Sequence, residues 1–456
     1  MQSNTSSEFL GTEPIGKLLF RLAVPTVTAQ IINTLYNIVD RIYIGHIPEY
    51  GALALTGLGI CMPIILVVSA FAALVASGGA PRASIYMGKG DNESAEKTLG
   101  GCFALQIVIS VLLTAALLIW NRPMLMAFGG SESTIDYATD YMRIYAVGTI
   151  FVQLTLGMNA FITAQGRAKV GMLTVLIGAV LNILLDPLFI FAFNMGVRGA
   201  ALATVISQAV SCIWVVAFLA GNKSELRLRR EYICLDRKYI LPCLALGVAP
   251  FIMQSSESII QVCFNSSLQL YGGDTAVGAM TILSSVMSIA MLPLQGLGQG
   301  AQPISSYNFG AGNASRVKST FLILLRSCLI YSGTFWLLIM LFPRVFSGIF
   351  TTDAQMLEFS SQVLRIYCGA LVLMGIQIAC QMTFISLGNA KASAIVAIMR
   401  KFVLLLPLIY LLPKFMPDKT IAVYTAEPVA DVIAVTFTAI LFFFQFKKAL
   451  KAMENK

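Results

Sequence analysis

The chain has 456 residues, of which 57% are hydrophobic and 12% charged, with a formal charge of +9 and a mean hydropathy of +0.80. Soluble domains carry about 45–50% apolar and about 25% charged residues. An apolar excess of this size has no soluble core to enter, which excludes a soluble enzyme, a disordered chain and a collagen-like chain. What remains is an all-α membrane protein that crosses the bilayer many times.

Met1 to Glu8 is polar and lacks the basic-then-apolar order of a signal peptide, so insertion falls to the first span. Runs of roughly 20 apolar residues predict six spans near 17–44, 52–78, 100–120, 138–163, 168–193 and 199–220. Six more are predicted near 239–270, 276–301, 319–342, 360–386, 391–413 and 421–446. Between the sets lies 221–238, GNKSELRLRREYICLDRK, the most charged stretch and by composition an exposed linker. The expected organisation is a first lobe over 1–220, a cytoplasmic linker over 221–238 and a second lobe over 239–456. Of the 31 Lys and Arg, 20 fall in the tails, the even-numbered loops and the linker, 8 at the odd-numbered loops and 3 within spans. The positive-inside rule then puts both termini in the cytoplasm. The basic excess reads as membrane anchoring and calls for no nucleic-acid partner.

The two sets of spans repeat one another. Pro25 matches Pro250 at an offset of 225, while Arg143-Ile144-Tyr145 returns as Arg365-Ile366-Tyr367 at 222. Gly166-x-Ala168-Lys169 returns as Gly388-x-Ala390-Lys391, also at 222. An even number of spans separates equivalent elements, so the halves share an orientation and their axis runs along the membrane normal. The expectation is twelve transmembrane helices in two pseudo-symmetric six-helix bundles around a central cleft.

Several chemistries drop out. The nine cysteines form no C-x-x-C pair, and the single histidine, His46, excludes a multi-His metal site. Gly88-Lys89-Gly90 lacks the rest of a P-loop. Gly296-x-Gly298-x-Gly300 follows no strand and reads as close helix packing. No cofactor and no structural metal are expected.

Carboxylates at membrane depth need a reason, since an Asp at a helix centre costs about 2.5–3.5 kcal/mol on insertion scales. Asn33, Tyr36 and Asp40 share one helical face. Asn182 lies one turn before Asp186, and Pro187 follows, which frees a carbonyl and bends the span. Asn159, Thr204 and Gln208 add polar groups in neighbouring spans. The competing readings are a headgroup anchor for Asp40 beside Arg41 and a purely structural hydrogen bond for Asp186. The second half differs, because Asn265 stands where Asp40 is expected and Leu404 where Asn182 is expected. Glu257 could hold a cation or pair with Lys401. Glu427 and Asp431, one turn apart, read more as polar packing than as substrate contact.

The ordered set Pro25…Asn33…Tyr36…Asp40, Asn182-x-x-x-Asp186-Pro187, Gly199-Ala200-Ala201-x-Ala203-Thr204-x-x-x-Gln208 and Glu427-Pro428-x-x-Asp431 resembles the multidrug and toxic compound extrusion (MATE) family. The likeness covers nearly the whole chain and looks closest to the DinF-like, MepA-type bacterial branch. It implies a monomeric antiporter of the bacterial plasma membrane, exporting cationic or amphipathic drugs in exchange for H⁺ or Na⁺. It also implies a cation-coupling site at Asp40, Asn182, Asp186 and Thr204. Tyr36, Asn33, Tyr141, Asn159 and Glu257 would then border the substrate cavity. Two carboxylates in a low-dielectric cleft cannot both stay ionised cheaply, so a proton or Na⁺ there would change which conformation is preferred. A lipid-linked-precursor flippase of the same superfamily shares this plan, but it would need a more cationic cavity. A membrane-embedded enzyme would need a catalytic cluster that the chain lacks.

Overall fold

A computed structural model describes residues 7–454, and these are helical almost throughout. The helices are α1 Phe9–Thr12, α2 Ile15–Gly45, α3 Gly51–Gly88, α4 Asn92–Ile119, α5 Asn121–Ala127, α6 Ile135–Ala164, α7 Ala168–Pro187 and α8 Val197–Ala220. They continue as α9 Arg237–Gly310, α10 Ala314–Leu341, α11 Pro343–Gly348, α12 Ala354–Tyr367, α13 Leu371–Ser386, α14 Ala390–Ile398, α15 Leu406–Phe415 and α16 Lys419–Glu454. Among the described residues, ten helical segments, two of them counted through a π stretch, are long and apolar enough to cross a membrane. Together α12 and α13, bent by 46° at their junction, make up to eleven. The chain is thus a multi-pass membrane protein. At 74 residues α9 would be about 111 Å long if straight, far more than the roughly 30 Å of a bilayer core. It is divided at Gly273, whose φ of 64° and ψ of −160° are not helical.

Wide π turns interrupt two spans. Leu188–Ala192 continues α7 directly after Pro187, where the missing proline amide was expected to disturb the ladder. Met399–Leu405 joins α14 to α15.

The sequence repeat has a conformational counterpart. Gly90 and Gly312 adopt left-handed φ of 76° and 75°, and each precedes a residue that caps a helix. Asp91 accepts from the Ser94 amide at 3.0 Å and Asn313 from the Arg316 amide at 3.1 Å. Both are Asx N-caps on the orphan amides of a first turn. Gly166 and Gly388 likewise share φ of 77° and 71°.

Three apolar clusters fill the interior. One is built from α9 to α16 with Leu18, Leu19 and Leu22 of α2. The other two lie within α2 to α8, with Cys243 and Tyr307 packed against one of them. The two halves meet where glycine lets backbones touch. A methyl group on Gly88 would sit 2.0 Å from the Tyr307 carbonyl oxygen, and one on Gly310 would sit 2.0 Å from that of Ile85. Residues 85 and 88 correspond to 307 and 310 at the same offset of 222, so the contact is isologous, as a two-fold relation produces. Gly296 and Gly300 lie against the backbone of Val27 and Ala23 in the same manner.

Gly310→Ala should therefore lower stability by about 1–3 kcal/mol through overpacking. Gly59→Ala, where no atom lies within 4 Å, should not. Thermal unfolding in detergent checks this, and equal midpoints for the two variants would contradict the packing described.

Two further segments join distant parts of the chain. The Leu10 carbonyl accepts from Asn308 Nδ2 at 2.9 Å and Arg316 Nη2 at 3.1 Å, and Arg316 also donates to the Glu13 carbonyl at 2.7 Å. The charged stretch after α8 is held to the first half. Gln165 Oε1 accepts from Ser224 Oγ and from the Glu225 and Leu226 amides. Glu96 pairs with Arg229 at 2.8 Å. Leu226 is wholly buried, so this stretch is anchored despite its charge.

Candidate functional site

Asp40 and Asp186 come from α2 and α7, and both are buried, at 8% and 0% exposed. Their carboxyl groups are neighbours between the two helices. Asn182, one turn before Asp186, donates from Nδ2 to Asp186 Oδ1 at 3.2 Å and reaches Thr204 Oγ1 of α8 at 3.4 Å. Tyr141 of α6 closes the group beside Asp40 and Thr204. Tyr36 lies one turn from Asp40.

The hydrogen bonding is unbalanced. Asp40 Oδ1, Asp186 Oδ2 and Asn182 Oδ1 are buried oxygens with no donor. Buried acceptors without partners are uncommon and costly. A positive species, whether a proton on one carboxyl or a small cation among the three oxygens, would satisfy them.

Asn159 and Asn33 are not part of this group. Asn159 donates to the Gly171 carbonyl at 3.2 Å, and both asparagines line a separate cavity toward the other end of α2 and α7. The sequence analysis grouped Asn33 and Asn159 with Tyr36 and Tyr141 around the substrate cavity, and Asn159 is eighteen residues from Tyr141 on α6, about 27 Å along a helix.

Glu257 pairs with Lys401 at 2.8 Å, which selects one of the two arrangements left open for it. Arg400 Nε donates to Asp431 Oδ1 at 2.7 Å and Nη2 to Glu427 Oε1 at 3.2 Å. Arg400, Glu427 and Asp431 are all buried. The π turns of Met399–Leu405 carry both bases inward. Sequence reasoning noted each of these charges but did not foresee the Arg400 pairings.

Buried carboxylates on helices apolar enough to cross a membrane, with a cavity between two repeated helical halves, are the arrangement of a transporter. The chain belongs to the MatE family, whose pattern matches residues 25–188 and 250–411. The matched segments begin at Pro25 and Pro250, the pair that first revealed the repeat.

Among similar proteins, the multidrug export protein MepA of Staphylococcus haemolyticus is 23% identical over 398 residues, covering 87% of each chain. MepA of Staphylococcus aureus is 21% identical over 399 residues, covering 88% of this chain and 87% of its own. A solved MATE structure in the bent conformation superposes with a TM-score of 0.93 at 21% identity, covering 99% of this chain and 100% of that one. An outward-facing multidrug resistance MATE transporter gives 0.90 at 21% identity over 99% of both chains.

Proposed function

We propose that the protein is a secondary active exporter of cationic or amphipathic drugs, working by alternating access in exchange for H⁺ or Na⁺. The observation that carries this reading is the trio of donorless oxygens on Asp40, Asp186 and Asn182. Three buried acceptor oxygens that the neighbouring donors leave unmatched are satisfied by a cation. The site's affinity for that cation must then differ between two cleft conformations, which is the requirement for coupling. The MepA relatives, named as multidrug exporters, support the cargo assignment.

The reading includes twelve crossings in two six-helix bundles, lobes over 1–220 and 239–456 joined by 221–238, and action as a monomer. Dividing α9 at Gly273 and joining α12 to α13 gives that count. Both termini face the cytoplasm on the distribution of Lys and Arg. A flippase for a pyrophosphate-linked lipid would need free bases in the cavity, whereas Arg400 and Lys401 are both engaged by carboxylates.

The decisive experiment places the purified chain in liposomes loaded with a fluorescent drug and imposes a pH or Na⁺ gradient. Efflux that follows one of the gradients supports the proposal, and efflux indifferent to both ends it. Asp40 and Asp186 act as one site on this reading, so their substitutions by Asn should be strongly non-additive in a double-mutant cycle on coupled efflux. Additivity within about 0.5 kcal/mol would separate them.

A further inference from the structure

Three bases lie within the predicted spans: Arg326, Arg400 and Lys401. Arg400 and Lys401 are buried and held by Glu427, Asp431 and Glu257. Arg326 is exposed on α10, and among the described residues it has no carboxylate partner and no hydrogen-bond acceptor. Its side of α10 is the lipid-facing one. Leu322, one turn before it, and Ile330, one turn after, are 39% and 70% exposed, while Leu324 and Cys328 on the opposite side are buried.

The apolar run predicted for this span opens at 319, so Arg326 stands seven residues inside it, about 10 Å below the edge of the hydrocarbon. A guanidinium at that depth is costly unless it finds an anion. Helix geometry sets the direction in which it finds one. Side chains on an α-helix lean toward its N-terminus, and α10 begins at Ala314, on the cytoplasmic side by the distribution of Lys and Arg. Arg326 is thus aimed at the inner leaflet's phosphates. Its long stem snorkels toward them, and local thinning of the bilayer brings them closer. Lys318, on the same stripe and also exposed, stands about 12 Å nearer that surface. No Asp or Glu occurs in α10.

We propose that Arg326 and Lys318 hold the phosphate of an acidic phospholipid of the inner leaflet against the outer face of α10. A guanidinium meets a phosphate through two parallel N–H···O contacts, and it is more weakly hydrated than an ammonium. Arg326 therefore supplies the deep contact. Lys318 sets the preference among headgroups, because it attracts one whose only charge is negative and repels the ammonium of a zwitterionic lipid. The acyl chains continue along the exposed Ile330 and Leu337. The site belongs to the second half alone. At the offset of 222, Arg326 corresponds to Ala104 and Lys318 to Glu96, which Arg229 already engages. The expected occupancy is one lipid per chain, whichever ion or drug the protein carries.

The test counts lipids by native mass spectrometry on the full chain, equilibrated in detergent with phosphatidylglycerol, phosphatidylethanolamine or phosphatidylcholine. One phosphatidylglycerol per chain should be retained about tenfold better than either zwitterionic lipid, the scale of one charge-assisted contact. Arg326→Leu, which continues the aliphatic face, should lose about that factor. If this variant fails to fold, Arg326→Gln takes its place with the same expectation. Lys318→Ala should narrow the preference for phosphatidylglycerol. Lys451→Ala, at an exposed base near the other end of the chain, should stay within about twofold, which separates the site from general attraction to basic residues. Sodium phosphate in excess should not displace the lipid, since a free anion lacks the acyl chains. Unchanged retention in the Arg326 variant, an unchanged preference in Lys318→Ala, a loss in Lys451→Ala equal to that in the Arg326 variant, equal retention of the three lipids, or displacement by phosphate each overturns the proposal.

Discussion

Asp186→Asn is expected to abolish ion-coupled export while leaving the chain folded and inserted. The amide has the same shape, and its oxygen can still accept from Asn182 Nδ2, which Asp186 Oδ1 does at 3.2 Å. Stability should thus change by no more than about 1 kcal/mol. What is lost is the second negative charge. With Asp40 alone, the site no longer needs a cation to offset two carboxylates at contact range, and the bias between cleft conformations goes with it. Gradient-driven efflux should fall to the level of empty liposomes at equal expression and an unchanged melting profile. Efflux near that of the unaltered protein would return Asp186 to a structural role.

Arg400→Met should have the largest effect on stability, about 3–5 kcal/mol. Arg400 is 8% exposed and holds Glu427 and Asp431, which are 5% and 2% exposed. Removing it leaves two buried carboxylates one turn apart with no base between them. The cost arises from the stranded charges and not from the value of the ion pairs, because buried pairs are offset by the desolvation of their members. The triple variant Arg400→Met, Glu427→Leu, Asp431→Leu should accordingly be more stable than Arg400→Met alone. Denaturation of the two variants in the same detergent decides it, and a triple variant less stable than the single one would contradict this account.

Hydropathy and charge made the architecture legible because lipid imposes a strong constraint on composition. The predicted spans fall on helical residues, although 239–270 and 276–301 share α9 and 360–386 is divided between α12 and α13, and the offset of 222 reappears in the paired glycines at 90 and 312 and at 166 and 388. Helix ends were less visible. α3 runs to Gly88, ten residues past the expected end, because its last turns are buried against α9, a packing contact that hydropathy does not report. The carboxylate group was legible because Asn182 and Asp186 are one turn apart and Asp40 is costly wherever it sits. The Arg400 cluster was not, because its partners are 27 and 31 residues away on another helix. A π turn also changes which face a residue occupies, so Arg400 and Lys401 could not be assigned by helical periodicity.

The bonds from Asn308 and Arg316 to the backbone around Leu10 also bear on how the chain is made. Leu10 emerges first, but its partner Asn308 lies 298 residues later. At about 5–20 residues per second the interval is roughly 15–60 s. Throughout it the Phe9–Glu13 segment has only its first-half neighbours, Gly166 and Arg21, and lacks the donors that Asn308 and Arg316 bring to its carbonyls. The backbone of Phe9–Glu13 therefore gains its last hydrogen bonds only once the end of α9 and the start of α10 have been made.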